Sequence, residues 1–390
     1  MSAYYPYNTI YTIGNLNNQP SFTLKLKGNK NLSWEKTSSF NVGIEFDLGG
    51  IVEGEIDYFN KLTYDMLFMK SVAPSQGYSS YPVNDGKLRN SGFEISLVTH
   101  VVRTEDVDLD IRFNAAHYDN KIVEMPIDDG TGKPQYYYSV ADYYAWQKGH
   151  SVYDFYLCEY AGVDPETGYA LYNMYTATFA DGTTTDITDM ELFKSQNQGA
   201  EYTISKTTTT NASKATEKYV GESAIPTILG GFGFDLRWKD ITLGATFAYS
   251  LGGKAYDYYY QRLMSDHGAG TMNWHKDIER RWQKPGDITD VPMLSNDSKA
   301  GTYANYTSTR FLTSRSYLTL SSIRLAWSVP EAWTRAWAGM YGVQIYASGE
   351  NLFLISARKG FMPGTSLSGL SSDSQYLPSS NFTVGLKLNF

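Results

Sequence analysis

The sequence is poor in what most site chemistry needs. It holds one cysteine, Cys158, and five histidines in 390 residues. A single cysteine excludes a disulfide framework and a multi-cysteine metal site. His100, His117, His150, His267 and His275 show no metal-ligand spacing. Charged residues make up only 19% of the chain, below the usual quarter. The net charge of −8 offers nothing to counterion release, so no nucleic-acid partner is expected. No run of 18 apolar residues is present, which excludes a membrane-spanning helix. The opening MSAYYPYNTI lacks a charged n-region and an apolar h-region, so no signal peptide is expected there.

Catalytic patterns fail as well. Asp129-Gly130-Thr131-Gly132-Lys133 runs into Pro134 instead of Ser or Thr and has the wrong glycine spacing for a phosphate loop. Gly364-Thr365-Ser366-Leu367-Ser368 misses the last glycine of a hydrolase elbow. Asp128-Asp129 and Asp164/Glu166 lie in turn-like segments, where acids commonly serve the turn itself. The stretch Asp181–Asp189 lacks EF-hand order. No enzyme and no cofactor are expected, with a loosely held Ca²⁺ on the acidic external loops as the one open allowance.

What is abundant is aromatic residues and alternation. Aromatics reach 15%, and the 33 tyrosines equal lysine and arginine combined, which excludes disorder. Phe40, Val42, Ile44, Phe46 and Leu48 alternate with polar or small residues. So do Phe93–Val101, Val107–Ala115, Phe232–Trp238, Ile241–Tyr249 and Phe382–Phe390. Period two over about ten residues marks strands with one apolar and one wet face. About nine such strands are joined short, long, short, long. The tight links are Gly49-Gly50, Arg103–Asp106 and Lys239-Asp240, with a short helical turn expected at EAWTRAW. The long excursions run over about 69–91, 125–225, 253–314 and 355–380. Short turns at one end and long loops at the other fit an outer-membrane barrel. An odd strand count and two unpaired edges do not close a barrel, so part of a larger one is expected. Charged residues on the polar register, among them Glu45, Asp47, Glu94, Asp108, Asp110, Arg112, Asp235, Arg237 and Lys387, must then face the lumen or a rim. The competing reading is a soluble all-β glycan-binding module or a truncated, non-functional product.

Eight blocks in order resemble the C-terminal barrel half of SusC/RagA-type TonB-dependent transporters of Bacteroidetes. They include GNKNLSWEKTSSFNVGIEFDL (28–48), GKLRNSGFEISL (86–97), EYAGVDPETGYALY (159–172), the long block 220–257, WHKDIERRWQKPGDITDVPML (274–294), RFLTSRSYLTLSSIRLAWSVP (310–330), VQIYASGENLFLISARKGFMP (343–363) and NFTVGLKLNF (381–390). The family commonly has an Asp before Pro363, where this chain has Met362. The resemblance implies an all-β, antiparallel, up-and-down transmembrane barrel. It would supply about nine C-terminal strands of a 22-strand-type barrel without its plug, residues 1–37 leading in externally and 38–390 forming barrel. It also implies an outer-membrane location and import of oligosaccharides or peptides with a SusD-like surface lipoprotein. The TonB complex would act through the missing plug, without which this segment alone is not expected to gate transport. Phe390 resembles the terminal aromatic assembly signal of such barrels.

Candidate binding residues are aromatic. Tyr136, Tyr137, Tyr138, Tyr143, Tyr144 and Trp146 lie in the longest excursion, where amphipathic rings suit sugar faces and loop packing is the commoner role. Trp274, Arg280, Arg281 and Trp282 form a candidate partner or ligand loop, since Trp and Arg dominate hot spots. Tyr256, Tyr258, Tyr259 and Tyr260 are expected in an interfacial girdle.

Overall fold

The computed structural model describes residues 5–130, 132–138, 143–265, 273–295, 303–338, 342–372 and 376–389. Its framework is a nine-stranded antiparallel sheet. The strands are β1 (Lys36–Leu48), β2 (Val52–Tyr64), β3 (Lys87–Arg103), β4 (Val107–Glu124), β5 (Ile228–Trp238), β6 (Ile241–Leu251), β7 (Tyr317–Val329), β8 (Gly342–Ser356) and β9 (Asn381–Asn389). Each pairs with its sequence neighbours, so the sheet is an uninterrupted meander. Among the described residues, the outer edges of β1 and β9 stay unpaired, and the sheet is an open arc of barrel wall.

The tight turns lie at one end. Gly49 and Gly50 take φ of 66° and 68°, and Lys239 takes 52°, the left-handed conformations that two-residue hairpins require. The helix Glu331–Ala338 fills the link from β7 to β8. β3 begins at Lys87, earlier than alternation alone suggests. Lys87–Ser91 shows no clean apolar period, and it pairs with Asp119–Glu124 at the end of the sheet that carries the long excursions. Its partner β4 likewise runs 18 residues, against the roughly 9–11 that cross a membrane.

Register turns the sequence period into two chemically distinct faces. Ile44, Ile56, Ile95, Ala115, Gly230, Tyr249, Leu318 and Ile355 stand in one cross-strand row. This face is open to its surroundings: Ile44 is 67% and Val384 80% exposed. One residue along, the opposite face carries Glu45, Glu55, Ser96 and Asn114. The outward face is a lipid belt, and a soluble module would not leave so large an apolar surface uncovered. Trp238, Ile241, Trp327 and Ile345 share a row at its tight-turn end. Trp327 meets Trp333 of the short helix edge to face at 6.3 Å. Tryptophan thus marks the tight-turn end of the apolar face, the residue type that membrane interfaces favour.

That belt predicts a sided response to charge. Phe113→Arg, mid-strand on the outward face, should destabilise the folded barrel by about 2–4 kcal/mol. Ser96→Arg, on the inward face among carboxylates, should stay within about 0.5 kcal/mol of the parent. Urea titration in lipid vesicles, followed by heat-modifiable gel migration, measures both. Equal losses would refute the assignment of faces.

Candidate functional site

Two regions carry chemistry: the inward face of the sheet and the body built from the long excursions above it. The inward face is charged and largely self-paired near β3–β5. Arg237 grips Asp108 across the β4–β5 pair through Nε at 2.8 Å and a terminal nitrogen at 2.5 Å. Arg112 pairs with Asp235. Asp110 meets His100 Nδ1 at 2.7 Å and Arg103 at 3.3 Å. Towards β9, Arg324 stacks on the Tyr346 ring at 4.6 Å and donates to Gln344 at 3.2 Å. A polar cleft of about 390 Å³ lies between these groups, lined by Asp108, Asp110, Asp235, Arg237, Arg324 and Gln344. The charged polar register thus faces away from the lipid belt.

The hydrophobic core of the protein lies in the excursions. Tyr144, Phe155, Leu157, Ala224, Tyr256, Met264, Ile278, Val291 and Phe311 form its largest cluster and come from both the second and third excursions. A second cluster surrounds Cys158 and Tyr172, and a third packs the helix Met190–Gln196 through Met190 and Phe193. Burial pushes the Cys158 thiol far up, away from reactivity.

Polar staples tie the excursions together. Asp257 is 2% exposed and caps the helix Tyr258–Leu263, accepting from the Tyr260 backbone N–H at 3.1 Å. Arg358, from the excursion after β8, donates to Asp257 through Nε at 2.6 Å, and its terminal nitrogen sits at 2.5 Å. The guanidinium lies over the Tyr260 and Phe361 rings at 5.3 and 5.4 Å. Its carboxylate partner is therefore Asp257, while Met362 lines the same small cleft with an apolar side chain. Arg315 is 5% exposed and is held by backbone carbonyls. It donates to Ala224, to Leu367 at 3.1 Å and to Ser366 at 2.5 Å, joining three excursions at one point. Sequence reading passed over Asp257, Arg315 and Arg358. The available signal was slight: Asp257 and Arg315 stand without charged neighbours on either side, while Arg358 is followed directly by Lys359.

The residues singled out from sequence lie within this body. Tyr136 donates to Asp189 at 3.2 Å, beside Tyr156, which donates to the same carboxylate at 2.6 Å. Tyr143 packs on Tyr256 at 4.4 Å, and Tyr144 is buried with its hydroxyl on the Ser368 carbonyl. Trp146 is half-buried against Phe68 and donates to Val152 at 3.2 Å. The backbone of Tyr137–Tyr138 pairs with Ala145–Trp146. Tyr256 is fully buried against Phe311, away from any membrane interface, which corrects the girdle expectation for that residue. Tyr260 donates to Asp277 at 2.9 Å, and burial together with that carboxylate pushes its hydroxyl up to about 12. Trp282 donates to the Pro165 carbonyl at 2.8 Å and covers Gly168, locking the third excursion onto the second. Arg280 pairs with Asp277 and Asp290 at 3.6 and 3.3 Å, Arg281 bonds back to Ile278, and Trp274 is partly exposed. Asp128, Asp164 and Asp181 each accept from a backbone N–H two residues on, as turn residues do. Phe390 lies outside the described residues. Among the described residues, no group of three or more His, Cys, Asp or Glu gathers as a metal site.

The TonB dependent receptor-like β-barrel family model matches residues 2–188. TonB-dependent receptor P3 of Formosa agariphila is 27% identical over 342 residues, covering 86% of this chain and 31% of the relative. TonB-dependent receptor SusC of Bacteroides thetaiotaomicron is 24% identical, covering 93% of this chain and 32% of the relative. A solved structure of the RagAB peptide transporter superposes with a TM-score of 0.75 at 25% identity, over 99% of this chain and 39% of that one. The chain spans about a third of the length of the curated relatives it matches.

The staples generate two expectations. Arg358→Met strands a buried carboxylate and should destabilise the external body by about 3 kcal/mol, read as faster protease cleavage within residues 253–314. The second concerns acid. Burial raises the Glu159 pKa, but hydrogen bonds from Asn173 at 2.9 Å, Lys218 at 3.1 Å and Tyr175 at 3.0 Å outweigh it and hold the carboxyl below its usual value. A carboxylate with a depressed folded pKa stabilises above its unfolded value of about 4.3 and loses that contribution as pH falls through the folded value. Hydrogen exchange around Asn173 should accelerate below about pH 4.3. Glu159→Gln should flatten that pH dependence; a parent profile without such a step would rule the linkage out.

Proposed function

We propose that this chain is the β-barrel portion of a TonB-dependent receptor of the SusC/RagA kind, an outer-membrane protein, and that it forms the C-terminal wall and external cap of a nutrient importer. The observation that carries the reading is the pairing of two faces on one sheet. A lipid belt lies on one side, and an inner face of charges and hydrogen-bonding groups lies on the other. Such a face gives many weak polar contacts to a hydroxyl-rich or peptide solute without one deep trap, as passage requires. Further strands between β9 and β1 would close the wall, since open sheet edges are not tolerated in hydrocarbon.

The substrate is an oligosaccharide or a peptide. The external body, stapled by Arg315 and the Asp257–Arg358 pair, is the surface on which a SusD-like lipoprotein would seat and solute would first be held. Within it, Tyr136, Tyr137, Tyr138, Tyr143, Tyr144 and Trp146 would shape the capture surface mainly by fixing the second excursion. Trp274 and Arg280 retain exposed surface for a partner. Energy would arrive from the TonB complex through a plug domain in the lumen.

In cells of the source bacterium, in-frame deletion of the residues 125–225 excursion should abolish uptake of one labelled solute class, oligosaccharide or peptide. It should also release the co-purifying lipoprotein, while the barrel still inserts. Uptake of both classes at parental rates would sink the importer reading.

A further inference from the structure

The outward face carries one feature that a plain lipid belt does not need. A groove of about 750 Å³ runs along it at the loop end of the strands, lined by Phe113, Ala115, Phe232, Tyr249, Leu318 and Ile355 among others. Its floor is low because Ala115 and Gly230 are neighbours in the same cross-strand row. A side chain at Gly230 would run into the Asn114 carbonyl, so the β4–β5 contact itself demands a residue without one. The aromatic rings beside this gap are fixed. Phe113 stacks on Tyr249 at 6.3 Å and Phe232 on Phe247 at 4.7 Å. The Tyr249 hydroxyl donates to the Asn114 carbonyl at 3.1 Å, anchoring the ring over β4. Ser314 and Ser316 stand at the external margin, where the groove leaves the belt.

We propose that this groove is a site for an acyl chain of the outer-leaflet glycolipid, lipid A. Three observations choose that occupant. The groove is continuous with the lipid-facing rows, so hydrocarbon already surrounds it. It opens at the end of the strands that carries the long excursions, which is the external leaflet. Its lining is apolar along the floor, where the Tyr249 hydroxyl is spent on the Asn114 carbonyl, and carries serine hydroxyls at the external margin, which is the polarity of a lipid entering head-outward. Rigid walls around a concave apolar floor hold one chain longer than the flat belt beside it holds its neighbours. The inference rests on the outer-membrane placement of the chain.

The test is native mass spectrometry of the full-length receptor after detergent extraction, titrated with purified lipid A and, separately, with phosphatidylethanolamine. Ala115→Trp fills the groove; Ile44→Trp alters the same face outside it; Leu318→Trp fills it from β7 should the first variant fail to fold. Heat-modifiable gel migration reports whether each inserts, so failure of the membrane reading itself would show there and not in lipid counts. The expected result is one saturable lipid A per chain, with occupancy falling at least tenfold in the filling variants and unchanged in Ile44→Trp. Equal occupancy in all variants would overturn the proposal. So would equal competition by phosphatidylethanolamine, or a lipid-free dimer that dissociates on filling the groove.

Discussion

Inside hydrocarbon there is no water to satisfy a backbone amide, so every N–H and C=O must find its partner within the sheet. That constraint fixes nearly everything else in this molecule. It forces long strands in unbroken antiparallel order, and with them a strict two-residue side-chain period. A slip of one residue would bring Glu45, Asp108 and Arg237 to the lipid and Ile44, Ile111 and Phe234 to the lumen. The register is therefore held by the cost of exchanging two solvents, and the sheet needs no conventional core to specify it.

The consequence is an inverted distribution of packing. The transmembrane sheet buries little of its own side-chain surface, whereas the excursions above it contain the tyrosine-rich clusters around Phe155, Tyr172 and Tyr256. Loops of this length are normally mobile unless they build structure of their own. Here they do so by stacking aromatic residues and by placing Arg315 and Asp257 where each serves several segments. A guanidinium bound by three carbonyls from two excursions acts as a geometric lock, because its planar donors fix direction as well as distance. The tyrosines contribute both apolar area and a hydroxyl that finds a partner, as Tyr156 does on Asp189.

The membrane half of the fold was legible because period two is a local signal. β1, β4, β5, β6 and β9 could be read residue by residue. β7 could not, since the ladder shifts at Ser321 and moves the apolar set from Leu318 and Leu320 to Ile323, Leu325 and Trp327. A bulge changes phase without changing composition, and only the partner strand reveals it. The external site was far less legible. Clustered tyrosines announce a surface role and a packing role in the same letters. Which one holds depends on contacts hundreds of residues apart, such as Tyr144 with Ser368. Charges such as Asp257 and Arg358 look like solvated loop residues until the fold brings them together.

The inner face also says what fills the lumen. Glu45 stands directly opposite Glu55, and Asp47 opposite Glu53, across the β1–β2 ladder. Like charges in facing positions weaken a sheet, and in a dry interior they could not both stay ionised. Hydration is what makes the arrangement tolerable, since at water's dielectric the repulsion of two charges a few ångströms apart falls to about 1 kcal/mol. Across β4 and β5 the same face has exchanged repulsion for ion pairs, through Arg237 with Asp108 and Arg112 with Asp235. One wall thus carries an acidic sector beside a sector in which the facing Asp110 and Asp235 are each paired with a cation. A solute moving along it meets changing charge while the lipid side stays uniform. That contrast between a uniform apolar outside and a charge-graded inside is what the proposed importer role draws on.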